Sequence, residues 1–180
     1  MLVLLEQSVV KFDLIVVNNI GLQLDTNKYV SNDKIKFIHC SDNSGLFERP
    51  TLTLMHSFSA LNDDVKILYL HTKGISYNPN TQIYTNIQAW IAYMLHFLLD
   101  SKCLALLDEY DTLGCNYYEG PYKHYSGNFW WIASKYLATL NLDRLVSRGD
   151  AEWWCLSNPN VRMKELYRSN VNHFETAYNL

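Results

Sequence analysis

Three short segments of the chain carry side chains that can do chemistry. The first, His71-Thr72-Lys73-Gly74, follows the apolar run Val65-Lys-Ile-Leu-Tyr-Leu70. A lysine ammonium and a threonine hydroxyl beside a glycine can hold a phosphate, because the glycine removes a side chain that would block close approach. A plain strand-to-loop turn with a solvated lysine explains the same four residues. The second segment is His124-Tyr125-Ser126-Gly127-Asn128-Phe129-Trp130-Trp131, polar groups around a glycine followed by two large rings. Flat apolar faces of sugars stack on aromatic rings while their hydroxyls need convergent polar partners, and a pocket of that make-up suits a small molecule. Side chains alternate across a strand, so one of these two tryptophans is expected in the core. The third segment, Arg148-Gly149-Asp150-Ala151-Glu152-Trp153-Trp154, sets two carboxylates beside bulky rings. A partly desolvated carboxylate has a raised pKa, which suits taking a proton from an alcohol. Asp150 can instead cap a short helix whose first turn holds Glu152, and one residue can serve each purpose.

These segments need elements to hold them. Residues 1–10 read as a short helix, and Phe12-Asp-Leu-Ile-Val-Val17, ended by Asn18-Asn19-Ile20-Gly21, as a buried parallel strand. A polar stretch, Thr26 to Lys34, leads to a second strand, Ile35–His39. A helix is predicted from about Ser44 to Leu61 with Pro50 in its first turn. Val65–Leu70 is a third strand, and a long helix spans roughly Gln82 to Tyr110. Thr112–Asn116 and Asn128–Ile132 read as further strands, Asp150–Leu156 as a short helix, and Arg162–Tyr167 as a strand or helix. This alternation predicts one α/β domain over residues 1–180, a mostly parallel sheet flanked by helices, with a more irregular, aromatic-rich second half. In such sheets ligands bind at the carboxyl ends of strands, which here carry Asn18-Asn19 and His71–Gly74.

Composition narrows the function classes. The chain has 180 residues, 48% hydrophobic and 18% charged, with a net charge of −3 and 25 aromatic rings. Disorder is excluded by such numbers, and a nucleic-acid partner is not expected without a basic face. The apolar stretch Ile87–Leu99 is interrupted by Gln88 and His96, so it reads as a buried helix and no membrane span is expected. Cys40, Cys103, Cys115 and Cys155 form no CxxC pair, the start lacks a basic targeting region, and no N-x-[ST] sequon occurs. A cytoplasmic, thiol-reducing setting is expected. Asp63-Asp64 and Asp108–Asp111 read as solvated, and His39, His56 and His96 as structural. No G-x-S-x-G elbow, Walker loop or G-x-G-x-x-G pattern occurs.

Taken in order, Leu68–Gly74, a helix containing Trp90, His124–Trp131 and Asp150–Trp153 resemble a group of small glycosyltransferase-like proteins of large DNA viruses and bacterial polysaccharide clusters. The resemblance covers roughly Phe12 to Tyr167. It implies a GT-A-like, Rossmann-related fold, with residues 1–111 binding a nucleotide-sugar donor and 112–180 a glycan or glycoconjugate acceptor. Asn18, Asn19, His71, Thr72, Lys73 and Gly74 are then donor-binding. His124, Tyr125, Ser126, Gly127, Asn128 and Trp130 are acceptor-binding, and Asp150 or Glu152 is the general base of an inverting transfer. Many GT-A enzymes carry an Asp-x-Asp metal motif where this chain has His71–Gly74. Lys73 is therefore expected to neutralise the leaving group, with His71 as a hydrogen-bond donor or metal ligand, and the need for Mn²⁺ or Mg²⁺ is left open. The family's opening strand is not evident ahead of Phe12, so the chain reads as starting after it or as replacing it with Leu2–Val10. Two other readings stand beside this one: a non-catalytic carbohydrate- or nucleotide-binding module, and a metal-dependent hydrolase using His71, His124 and Asp150.

Overall fold

In the computed structural model, which describes residues 2–26 and 32–178, the first apolar runs pair with each other and with nothing else. Helix α1 (Leu2–Gln7) precedes strand β1 (Ile15–Ile20), which lies parallel to β2 (Ile35–Ser41). Asn18 and Asn19 were expected just past the strand; they lie within it, because pairing continues through Asn18–Ile38 and Asn19–His39 before an irregularity at Ile20. The polar Thr26–Lys34 connection falls largely on residues 27–31, outside the described residues. Helix α2 (Arg49–Ser59) starts after a 3₁₀ turn at Ser44–Leu46, with Pro50 in its first turn, where a missing N–H costs nothing.

Strand β3 (Lys66–Tyr69) opens a second sheet. The single long helix expected next is two, α3 (Gln82–Leu98) and α4 (Lys102–Glu109), bent by 69°. Asp100 at the bend accepts from the Lys102 N–H (2.9 Å), starting a new helix rather than prolonging the old one. Then follow β4 (Thr112–Gly114), the hairpin β5 (Tyr117–Tyr118) and β6 (His124–Tyr125), β7 (Trp130–Ala133), α5 (Ser134–Leu137), α6 (Asp150–Trp153) and β8 (Met163–Glu165). Among the described residues no single helix is long and apolar enough to cross a membrane.

The main sheet runs β3-β7-β4-β8, with β7 antiparallel to both neighbours and β4 parallel to β8. The architecture is mixed α/β, and the expected mostly parallel sheet is not found. Strands β3 and β4, joined by α3 and α4, do run the same way, but β7 inserts between them in the opposite sense. Helices cover both faces of this sheet. Leu113 and Trp131 pack with Trp90, Tyr93, Met94 and Leu98 of α3; Tyr69, Trp130 and Ile132 pack with Leu52 of α2, Leu137 of α5 and Trp154. Because β7 is central and covered on both faces, its alternating side chains all enter a core. Trp130 is 0% and Trp131 1% exposed.

Candidate functional site

The loop that leaves β3 meets the loop that enters β7. Gly74 turns with φ +77°, and an added Cβ would lie 2.7 Å from Ile87, so no larger residue fits there. His71 lies edge-on to Phe129 (5.3 Å, 87°), with Nε2 3.4 Å from the Gly127 carbonyl and Nδ1 3.2 Å from that of Thr72. Its Nδ1 is also 3.6 Å from Glu48, at the start of α2. Burial lowers the His71 pKa, the Glu48 carboxylate opposing it and the Lys73 charge adding to it. Both ring nitrogens face acceptors, so the neutral ring donates to one at a time. The Lys73 ammonium lies 4.0 Å from the centre of the Trp90 ring. Burial lowers its pKa, and the carboxylates of Glu152 and Glu48 oppose that shift. Lys73 thus lies against an aromatic wall, within the field of two carboxylates that it does not touch.

That wall belongs to a cavity of about 400 Å³. Its rings are Trp90, Tyr117, Tyr118 and Phe174, and its polar groups include Asn116, His124, Ser126, Arg168, Ser169 and His173. Asn116, at φ +51°, organises one side: its Oδ1 accepts from the Ser169 N–H (2.8 Å) and the Tyr93 hydroxyl (3.1 Å). That leaves its amide nitrogen donating to His173 Nε2 (3.1 Å), which also faces the Ser169 hydroxyl (2.8 Å). The His173 proton therefore sits on Nδ1, which is buried and has no partner among the described residues. The ring lies flat against Trp90 (5.0 Å, 3°), whose Nε1–H is likewise buried and unpartnered. Burial, then the Lys73 charge, pushes the His173 pKa down to about 4.

The expected binding segments divide sharply. His124 and Ser126 line the cavity, and Gly127, at φ +98°, offers its carbonyl to His71 while an added Cβ would come 3.1 Å from Trp90. Tyr125, Asn128 and Trp130 are not among the residues lining the cavity; they are 1%, 3% and 0% exposed. Tyr125 bonds Thr112 (3.0 Å), the Trp130 indole donates to Asn128 (2.8 Å), and Trp130 stacks on Tyr69 (4.6 Å). Thr72 is exposed, Asn18 donates to Thr51 of α2 (3.0 Å), and Asn19 accepts from Leu24 (3.1 Å) and faces His39 (3.0 Å). Asn19 lines a separate cavity of about 120 Å³, so the proposed donor set is not gathered in one place.

Asp150 accepts from the N–H groups of Val146 (3.0 Å) and Ser147, and these bonds hold its carboxyl below the usual range. It fastens the preceding loop and is a poor proton acceptor. Glu152 is exposed and acts on Lys73. Among the described residues no three His, Cys, Asp or Glu side chains come together as metal ligands. His71, His124 and Asp150 are separately engaged, with Gly127 and Glu48, with Tyr122, and with the 146–147 amides. His71, His124 and Asp150 are therefore not gathered as one donor set. Glu48 and the 168–174 segment escaped the sequence reading; the only signal was a density of polar and ring residues in Ser169-Asn-Val-Asn-His-Phe174.

A family model described as a domain of unknown function, DUF8361, matches residues 2–144, a span that includes Lys73, Trp90 and His124 but not the 168–174 segment. No curated protein and no solved structure matches the chain.

Proposed function

The chain belongs to the DUF8361 family, and we propose that it is a glycosyltransferase moving a sugar from a nucleotide-sugar donor to a hydroxyl of a glycan. The observation that carries this reading is the position of Lys73, in the Gly74 turn that follows β3 with the Trp90 ring 4.0 Å away. In this reading the donor diphosphate lies at Lys73, whose charge offsets that gained by the leaving group. The acceptor hydroxyl attacks the anomeric carbon and gives its proton to Glu152 as the bond to the diphosphate breaks, with inversion. Glu48 holds His71 in place, and Asp150 shapes the loop that presents Glu152. A GT-A-like division into donor and acceptor halves belongs to the same proposal. Support comes from β3 and β4 running in one direction between two helical layers, with the Lys73 loop at the carboxyl end of β3.

Transfer to acceptors and hydrolysis of donor, measured over a panel of nucleotide sugars, tests it. Glu152→Gln and Lys73→Met are each expected to lower turnover about 100-fold or more. Turnover kept within about tenfold in both variants would refute the assignment. One observation favours a second reading, a non-catalytic carbohydrate-binding module: none of the described residues lining the 400 Å³ cavity is Asp or Glu. Calorimetry separates the two, since sugar binding without nucleotide-sugar binding or turnover belongs to the module.

A further inference from the structure

With both members of the Trp130-Trp131 pair buried, the rings that face solvent beside the cavity are others. Tyr118 and Tyr122, on the β5–β6 hairpin, are each 57% exposed. Cross-strand pairing sets Tyr118 opposite His124, with their rings 5.4 Å apart, and both line the cavity. In the other pair Tyr125 reaches inward, 1% exposed, while the half-buried Tyr117 lines the cavity. Tyr122, in the hairpin turn, stacks on Trp153 of α6 (4.8 Å, 21°), next in sequence to Glu152. His124 Nδ1 lies 2.9 Å from the Tyr122 carbonyl, tying the turn to the cavity wall. The hairpin thus carries Tyr118 and His124 at the cavity, and the Tyr122–Trp153 stack at its turn, joined to that wall through His124.

Charge indicates the kind of ligand. The hairpin turn carries one acid and one base, Glu119 and Lys123. Arg168 is engaged with Glu165 (3.0 Å) and the Tyr117 carbonyl (2.8 Å). Single-stranded nucleic acid needs cations along its phosphates as well as rings, and none are in surplus here. Flat rings with hydroxyls, on a neutral surface, suit the alternating apolar faces and hydroxyl edges of neutral sugars.

We propose that Tyr118, Tyr122 and Trp153 form a carbohydrate platform that holds successive units of a neutral oligosaccharide whose end unit enters the cavity. Calling that oligosaccharide the acceptor rests on the transferase reading; its binding does not. The test uses the full chain and neutral oligosaccharides of about one to six hexose units, in α- and β-linked series, by calorimetry. Affinity is expected to rise about fivefold or more between one and three units in at least one series, the low end for a stacked ring. Tyr118→Ala and Tyr122→Ala should each remove that increment, whereas Tyr122→Phe, which keeps the ring, should retain it. Circular dichroism verifies that each variant is folded. The proposal is overturned if no oligosaccharide binds, if affinity is independent of length, or if the alanine variants keep the increment. Binding of oligouridylate or a proline-rich peptide that Tyr118→Ala abolishes, without sugar binding, also overturns it. Oligosaccharide binding without sugar transfer sinks the transferase reading and leaves the platform standing.

Discussion

Acidification should destabilise the protein through His173 by an amount the site geometry sets. Its Nε2 already accepts from the Asn116 amide, and Asn116 cannot turn over without giving up the Ser169 N–H (2.8 Å) and the Tyr93 hydroxyl (3.1 Å). A protonated ring would oppose the Asn116 amide N–H with a second donor, beside the half-buried Lys73 ammonium. Tyr93 and Tyr178, also packed on the ring, supply no negative charge at these pH values. The folded pKa is thus about 4 against an ordinary 6.5. Because the folded value is the lower one, the contribution is complete above about pH 6.5 and is lost as the pH falls toward 4. The gap sets an upper limit of about 3 kcal/mol, and about 2 kcal/mol is expected once solvent screening of Lys73 is allowed for. Urea unfolding followed by tryptophan fluorescence, in steps from about pH 7.5 to 4, gives the stability curve of the wild type and of His173→Gln. Carboxylates titrate in both proteins, so the difference between the two curves isolates the histidine. Curves that stay parallel over that range, or a His173 NMR titration midpoint near the ordinary value, would refute the reasoning.

Two further predictions concern the same architecture. Gly127→Ala should cost about 2–4 kcal/mol in urea unfolding, combining a left-handed backbone with pressure on Trp90 and Met94; a loss below about 1 kcal/mol would mean the loop yields freely. A thiol reagent should titrate Cys40 alone in the folded protein, because Cys40 is exposed while Cys103, Cys115 and Cys155 are buried. Burial raises the Cys103 pKa to about 11 and that of Cys115 to about 12, so both should react only on unfolding.

Much of the fold was legible residue by residue. The β-branched runs at Ile15, Ile35 and Lys66 are strands, Pro50 marks a first helical turn, and residues 150–156 are helical, as their local chemistry suggests. The split of α3 from α4 was not legible, because no Gly or Pro interrupts residues 82–110 and the turn at Asp100 depends on a single capping carboxylate. Strands β5 and β6, two residues each, are too short for any periodicity to reveal. The Trp130-Trp131 pair was misread because alternation tells which face a side chain takes but not whether that face is covered. Four apolar residues in succession, Phe129 to Ile132, were the available sign of two-sided burial.

The site divides in the same way. The sequence alone determined that Lys73 follows a buried strand beside a glycine, that Gly127 sits among polar groups, and that carboxylates lie near Trp153, since each depends on neighbours a few residues apart. Tertiary structure alone decided that Glu48 faces His71, that Asn116 holds His173 against Trp90, and that Asp150 is spent on its own loop. These contacts join residues from 3 to 83 positions apart; β7 entering antiparallel between β3 and β4 brings the His71 and Gly127 loops together, and β8 lying parallel to β4 carries the 168–174 segment alongside Asn116. Local propensity carries no information about which distant strand becomes a neighbour; that is set by burying both faces of one sheet at once.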